Sequence, residues 1–268
     1  MKDKTILITG STDGIGKQTA LELAAMGATV LLHGRNSERA DRVLNEIKNA
    51  TGNDRLNAFI ADLSSLKKVR GLAEQVLLKH DRLDVLINNA GVYETSHRIS
   101  EDGFEMTFAV NHLAPFLLTL LLLDLIIKSS PGRIINVSSQ VHASGIDFDN
   151  LQAEKYYSEY EAYSLSKLCN VLFTYELAER LKGTGITVNC LHPGVIDTKL
   201  LKAGWGMGGS PVTEGSRTSV YLASAPELNT VTGKYFKNRT STTSSQISYD
   251  AETRKKLWHI SEHLTEIV

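Results

Sequence analysis

Two periodicities alternate along this chain. Short apolar runs rich in β-branched residues fall at 5–9, 29–33, 56–60, 85–88, 133–137 and 186–191, and each reads as a buried strand. Between them, apolar residues return every three or four positions over 16–26, 37–50, 66–80, 101–128 and 160–182, the spacing of helices with a buried face. Asn36-Ser37 and Ser64-Ser65 offer N-cap oxygens, and Gly27, Gly52 and Gly183 stand where helices stop. A strand around 233–236 and a terminal helix around 252–264 complete the series. Such alternation builds parallel units with right-handed crossovers, so the predicted fold is α/β: a doubly wound parallel sheet with helices on both faces. No repeat, low-complexity tract or proline-rich linker divides the 268 residues, and a single domain is expected.

Two stretches break the rhythm. Residues 140–159 are polar and aromatic with little periodicity, and 202–211 are rich in glycine, with Trp205 and Met207 as the large apolar groups. Both follow the carboxyl end of a strand, the edge where doubly wound sheets bind ligands.

Composition narrows the function by exclusion. A net charge of −1 and the lack of a long Lys/Arg run leave no basic field for nucleic acid. Cys169 and Cys190 are too few for a disulfide framework and have no metal-ligand spacing around them; reduced thiols in the cytosol are expected. The eight histidines are scattered, so no metal site is expected. The apolar run at 5–8 is too short for a signal peptide, and 113–127 falls short of the ~20 residues that span a bilayer. The expectation is therefore a cytoplasmic protein with no membrane partner.

The turn after the first strand, Thr9-Gly10-Ser11-Thr12-Asp13-Gly14-Ile15-Gly16, holds the first candidate chemistry. Glycines there allow a tight turn and a close approach of backbone to a pyrophosphate, which then faces a helix N-terminus. The spacing is Gly-x-x-x-Gly-x-Gly, not the commoner Gly-x-Gly-x-x-Gly. The second strand ends in His33-Gly34-Arg35-Asn36, without the carboxylate that binds a ribose 2′-hydroxyl in NAD-selective folds. Arg35 offers a planar guanidinium to a 2′-phosphate, and Lys17 adds positive charge, so NADP is the expected cofactor.

Tyr163 and Lys167 stand one helical turn apart and project from one face. An ammonium beside a phenol favours phenolate; bringing a tyrosine from its usual ~10 to neutrality takes about 4 kcal/mol. Lys167 is expected to supply part of that, lowering the proton affinity of Tyr163. A serine hydroxyl can then hold the substrate oxygen while the tyrosine gives or takes its proton.

Together these residues resemble the short-chain dehydrogenase/reductase family over nearly the whole chain, which implies a Rossmann-type single domain. The matching pattern is the glycine turn, Asp62, Asn88-Asn89-Ala90-Gly91, Asn111, Ser139, Tyr163, Lys167 and Pro193-Gly194. The resemblance implies that Asp62-Leu63 border an adenine and that Asn88 and Ala90 run along the cofactor cleft, with Asn89 and Gly91 beside them. It places Pro193-Gly194-Val195 beside the nicotinamide and Thr198 on its carboxamide or a phosphate. It further implies that Lys167 and Tyr163 also touch the cofactor, Lys167 through the ribose hydroxyls, and that Asn111 holds a water linking Lys167 to solvent. Of Ser138 and Ser139, strand alternation turns one to the cleft, and the family pattern favours Ser139.

Ser139 and Tyr163 are 24 positions apart (163 − 139), more than in many relatives, which indicates an insertion at 146–159. Asp147-Phe148-Asp149-Asn150-Leu151, Asn111-His112-Leu113 and Gly233-Lys234-Tyr235-Phe236 look like the retinol dehydrogenase and WW-domain-containing oxidoreductase branch, which implies preference for NADP and lipophilic alcohols or aldehydes. The short glycine-rich segment near 199–212, read as a substrate lid, points instead to a smaller or more polar carbonyl. Trp205 and Met207 either cap a substrate or ride on a mobile surface lid, and Tyr93 is another pocket candidate. The expected function is an NADP(H)-dependent oxidoreductase interconverting an alcohol and a ketone or aldehyde on a small molecule, with Asn111, Ser139, Tyr163 and Lys167 as its catalytic set. The alternatives are an NADP(H)-sensing module without turnover and a C=C reductase related to protochlorophyllide reductase. Relatives often assemble through helices 101–128 and 160–182; a homo-oligomer and a monomer both remain open.

Overall fold

In the computed structural model, residues 1–267 are described. The chain starts with β1 (Thr5–Ile8), α1 (Gly14–Ala25), β2 (Thr29–Gly34), α2 (Ser37–Thr51), β3 (Leu56–Ile60), α3 (Leu66–Lys79) and β4 (Val85–Asn88). The first six strands continue through β5 (Gly132–Val137) and β6 (Ile186–His192), close to where the apolar runs put them. Seven parallel strands and an antiparallel edge form one sheet ordered β3-β2-β1-β4-β5-β6-β7-β8, where β7 is Lys234–Lys237 and β8 is Thr240–Thr242.

Register explains why the strands are apolar without interruption. Leu7 pairs with Leu31 and Leu86, and their side chains join the core on one face beneath α3 and α7 (Glu159–Arg180). Ile6, Val30 and Val85 point to the other face and pack against α1 and α2. Both faces are covered, so no polar alternation survives in the central strands. The strand order reverses between β1 and β4, and this opens a crevice beyond their carboxyl ends.

The long helix expected at 101–128 is instead four pieces: α4 (Met106–Phe108), a π turn (Ala109–Leu113), α5 (Ala114–Leu121) and α6 (Leu123–Lys128). Gly103 has a φ of 84°, which ends any helix there, and the Glu105 carboxylate accepts from Thr107 N–H and Phe108 N–H to start a new one. Asp102, outside the helix, takes the Leu66 N–H at 2.7 Å and so caps α3 where Ser65 makes no side-chain cap bond. Asn36 does cap α2, through Arg39 N–H at 2.8 Å.

The stretch 202–211 is more ordered than its glycines suggest. Thr198 caps a short helix, α8 (Lys199–Trp205), and left-handed Gly206 ends it. Ser210 N–H then donates to Val195 O, and Asp197 N–H to Ser210 O, both at 2.8 Å, closing the base of the segment. Helix α9 (Val212–Ser224) follows, where the apolar pattern predicts none. Its buried face joins Gly215 and Ser216, which meet Ile15 and Glu22 of α1, to Val220, Leu222 and Ala223, which enter the core cluster. The last helix is α10 (Ala251–Thr265). The insertion at 146–159 folds as turns, with Ile146 and Phe148 packed on the core cluster of α7 and Tyr157 Oη donating to Glu94 O at 2.8 Å. Among the described residues no helix is long and apolar enough to cross a membrane.

Candidate active site

A cleft of about 1010 Å³ runs along the carboxyl edge of the sheet, from Arg35 past the glycine turn to Tyr163. Its floor is held by cross-ties between β1 and β4. Thr9 Oγ1 accepts from both Asn89 N–H and Ala90 N–H at 3.0 Å, and the Asn89 amide donates to Thr9 O at 2.8 Å. A Cβ on Gly16 would overlap the Gly10 carbonyl oxygen and the Asn89 amide. Gly10 has a φ of 64° and lies against Ala90, so it is required by backbone conformation as well as by space, whereas Gly16 is required by space and Gly14, with a φ of 52°, by conformation. Ile15 and Gly16 line the cleft in the first turn of α1, where backbone N–H groups lack intrahelical partners and can hold an anion.

His33 pins this turn from beneath. Its Nδ1 accepts from Gly10 N–H and its Nε2 meets Ala61 O, each at 3.1 Å. Burial lowers its pKa to about 4, so the ring is neutral, and the two contacts fix the Nε2–H tautomer. Ser11 also lies behind the wall. Its hydroxyl donates to Ile8 O at 2.8 Å and accepts from His33 N–H at 2.9 Å, so its side chain does not line the cleft.

The adenosine end carries the charge pattern. Arg35 lines the cleft and, among the described residues, forms no salt bridge. Lys17 departs from its expected role: it pairs with Glu46 of α2. Asp13 caps α1 and is bound to Lys199 at 2.6 Å and Arg39 at 3.5 Å, contacts that hold its carboxyl below the usual range, Lys199 first. Its side chain thus ties the glycine turn to α8. Burial of Asp62 is outweighed by the Ser64 hydrogen bonds, and its carboxyl is also held low.

At the other end stand the serine, tyrosine and lysine. Tyr163 and Lys167 are both buried on α7, with Lys167 Nζ 5.5 Å from the Tyr163 ring centroid and donating to Val137 O at 3.1 Å. The expectation that Lys167 lowers the Tyr163 pKa is not met in the cofactor-free chain. Burial pushes the phenol well above its ordinary value, and the Ser139 side chain is the neighbour that opposes the rise. Burial also lowers the Lys167 pKa to about 8, so the ammonium is itself poorly solvated. Ser138 is committed elsewhere, donating to Lys167 O at 2.7 Å, which leaves Ser139 as the serine beside the phenol.

Asn111 does not line the cleft. Its Oδ1 accepts from Val92 N–H at 2.8 Å, while its Nδ2 reaches Val92 O and Ser166 Oγ at 3.0 Å, tying the β4 loop to α7. A Cβ on Gly91 would sit 3.4 Å from both Asn111 Oδ1 and Lys167 Nζ, so Gly91 is the thin wall between them. Over the mouth, Tyr93, Trp205 and Tyr163 form a triangle of rings with centroids 5.2 to 5.7 Å apart. Trp205 and Tyr93 therefore cover Tyr163 and do not hang free in solvent.

A family model described as short chain dehydrogenase matches residues 4–205. This chain belongs to the short chain dehydrogenase family. Human retinol dehydrogenase 14 is 41% identical to it, over 98% of this chain and 86% of its own length. Human retinol dehydrogenase 13 is 44% identical, over 97% and 84%. A solved Mycobacterium paratuberculosis protein aligns with a TM-score of 0.82 at 32% identity, covering 99% of this chain and 94% of its own. A Shigella flexneri chain described as a short chain dehydrogenase, solved with NADP, gives 0.75 at 27% identity, covering 90% and 98%.

In this short chain dehydrogenase, one cleft brings together Gly10, Thr12 to Gly16, Arg35, Asn36, Asp62, Leu63, Asn89 to Gly91, Ser139, Tyr163, Lys167, Pro193 to Val195 and Thr198. Asn88 points away, bonding to Thr119 and Asn136 inside the sheet at 2.9 Å. Sequence reasoning passed over His33 and Thr9 as site builders. A histidine at the end of a buried strand, two residues before Arg35, was the available signal for the first; for Thr9, a hydroxyl at the strand end before the glycine turn.

Proposed function

We propose that this chain is an NADP(H)-dependent oxidoreductase that interconverts an alcohol and a ketone or aldehyde, with Tyr163 as general acid and base. The observation that carries the reading is the continuity of one cleft from Arg35 to the Ser139–Tyr163–Lys167 end. The glycine turn fits a dinucleotide, because Gly10 packs on Ala90 and Gly16 on the Gly10 carbonyl and the Asn89 amide, close contacts that let the turn run along the cleft without side chains in the way. In this reading Arg35 and Asn36 take a 2′-phosphate, the α1 N-terminus the pyrophosphate, Asp62 and Leu63 the adenine, and Lys167 the ribose hydroxyls near Pro193, Gly194, Val195 and Thr198. The nicotinamide supplies or accepts the hydride.

The remaining chemistry is the protein's own. Ser139 holds the substrate oxygen, and Tyr163 moves the proton at that oxygen. Lys167 places positive charge under the ring, and Asn111 fixes the wall between β4 and α7. Trp205 and Tyr93 exclude water from the reacting end. The relatives named retinol dehydrogenase support an alcohol as one side of the couple. The test is a panel of ketones and aldehydes with NADPH in excess, following loss of the reduced nicotinamide absorbance. Tyr163→Phe and Lys167→Ala are each expected to lower turnover by about 10²–10⁴-fold. Wild-type turnover in both variants on a verified substrate would end this reading.

A further inference from the structure

Ser139 is the first residue beyond the β5 ladder. Ser138 N–H still bonds to Leu191 O at 2.8 Å, whereas Ser139 has left the sheet. Its carbonyl oxygen is held instead by His142, through the ring Nδ1 at 2.6 Å and the backbone N–H at 3.3 Å. On the far side of the same ring, Ser245 N–H donates to Nε2 at 2.9 Å. A nitrogen that accepts an N–H must carry a lone pair, and one that faces a carbonyl must carry hydrogen. The two backbone partners therefore select a single neutral tautomer, Nδ1–H.

The far anchor is itself a built structure. Ser244 Oγ meets Tyr175 Oη at 2.8 Å and Ser248 Oγ at 2.6 Å, and Ser244 N–H donates to Tyr249 Oη at 3.1 Å. Arg254 of α10 closes on Tyr249 O at 3.0 Å. Tyr175 lies on α7, the helix of Tyr163 and Lys167, so the strap is referenced to the same helix as the phenol. The Tyr235 ring packs edge-on to His142 at 5.1 Å, and Lys237 Nζ bonds to Gln140 Oε1 at 2.8 Å, fixing the residue after Ser139.

We propose that His142 is a positioning residue: it sets Ser139 against Tyr163 by bridging the Ser139 carbonyl to the 244–249 strap. This rests on the reading of Ser139 as the group that holds the substrate oxygen. A misplacement on the order of 1 Å at such a group costs about 10²-fold in rate, so the effect belongs in kcat.

The two bonds can be separated by substitution. His142→Asn keeps a donor toward Ser139 O and loses the Ser245 contact; His142→Gln keeps an acceptor toward Ser245 N–H and loses the donor; His142→Ala loses both. His142→Ala is expected to lower kcat by about 10- to 100-fold with KM and NADPH affinity within about twofold, with partial recovery in His142→Asn and little in His142→Gln. In a Ser139→Ala background, His142→Ala should cost less than about twofold, because its effect passes through that residue. Equal losses in both backgrounds, or recovery by Gln in place of Asn, overturn the proposal. Should His142→Ala fail to fold, the Asn and Gln pair still decides. A readout independent of turnover is the ring tautomer of His142 in the cofactor-free protein by nitrogen-15 NMR. Nδ1–H is expected, and Nε2–H overturns the proposal whatever the activity. If Tyr163→Phe keeps full turnover while the tautomer is Nδ1–H, the functional reading fails and the clamp geometry stands.

Discussion

Replacing Lys167 by Met should make the cofactor-free protein more stable near neutral pH while removing its activity. Lys167 is 3% exposed, and its ammonium donates to the Val137 carbonyl at 3.1 Å. Burial lowers its pKa from 10.5 to about 8. That fall disfavours the charged folded form by about 3 kcal/mol. Methionine has a similar length and no charge, so that penalty disappears. The Val137 carbonyl loses its partner, which offsets about 1–3 kcal/mol. The net gain is about 1 kcal/mol, or a Tm rise of about 2–4 °C for a domain of this size. The sign of the pH dependence separates this account from simple repacking. Between the folded pKa of about 8 and the unfolded 10.5, the unfolded chain keeps a proton that the folded chain has released. Wild-type stability therefore rises with pH across that window and is lost as pH falls through about 8, whereas Lys167→Met lacks this slope. Buried tyrosines titrate in both proteins and cancel in the difference. Urea unfolding of the two proteins at about pH 7 and about pH 10 should show the variant ahead at the first and behind at the second. A variant that is weaker at both, by the same margin, refutes the idea of an uncompensated buried charge at this position.

Arg35→Glu is expected to weaken NADPH binding by about 10- to 100-fold and to narrow the gap to NADH, since a charge-assisted contact contributes about 1.5–3 kcal/mol; an unchanged ratio of the two affinities in titration counts against a 2′-phosphate site. Gly16→Ala, whose methyl would overlap the Gly10 carbonyl and the Asn89 amide, should cost about 1–3 kcal/mol in urea unfolding and abolish dinucleotide binding; wild-type affinity in that variant would show that the turn is free to yield. The His33 ring is neutral when folded, with a pKa of about 4 against an ordinary 6.5, so its contribution to stability is complete above about 6.5 and falls as pH drops toward 4. Unfolding midpoints for wild type and His33→Gln should converge as pH falls through that range; parallel curves would refute the assignment.

The parts of the fold legible in the sequence are those where burial is continuous. The strand Ile186–His192 is buried at every position, the helix Ser37–Thr51 announces itself by the period of Ala40, Val43 and Ile47, and the glycine turn by its place between strand and helix. Helix α9 was illegible because its first turns bury Gly215, Ser216, Thr218 and Ser219, and its apolar residues Val220, Leu222 and Ala223 crowd into the last turn, too short a run to show a helical period. The break in the 101–128 helix hinged on Gly103 and on a cap supplied by Glu105, signals drowned by the strong apolar pattern from 113 onward. At the site, residue types and order were readable, but partners were not. Nothing local to Lys17 says that Glu46 will claim it, nor does anything near Asp13 announce Lys199, 186 positions away.

The largest disagreement between sequence and structure concerns Tyr163, and it bears on mechanism. Spacing alone puts an ammonium next to a phenol and suggests a phenolate. The folded chain puts that ammonium under the ring, where Lys167 is itself pushed toward neutrality, and burial raises the phenol instead of lowering it. Both shifts have one cause, burial, so a dry pocket works against ionising the phenol that the proposed reaction uses as acid and base. The raised proton affinity keeps Tyr163 protonated, the form in which the proposed carbonyl reduction starts, but it also makes the phenol a weaker acid. Withdrawing one from an alcohol needs positive charge brought into the same pocket. In the proposed reaction the direction is thus coupled to the charge brought into the cleft, through electrostatics that Tyr-x-x-x-Lys spacing does not contain.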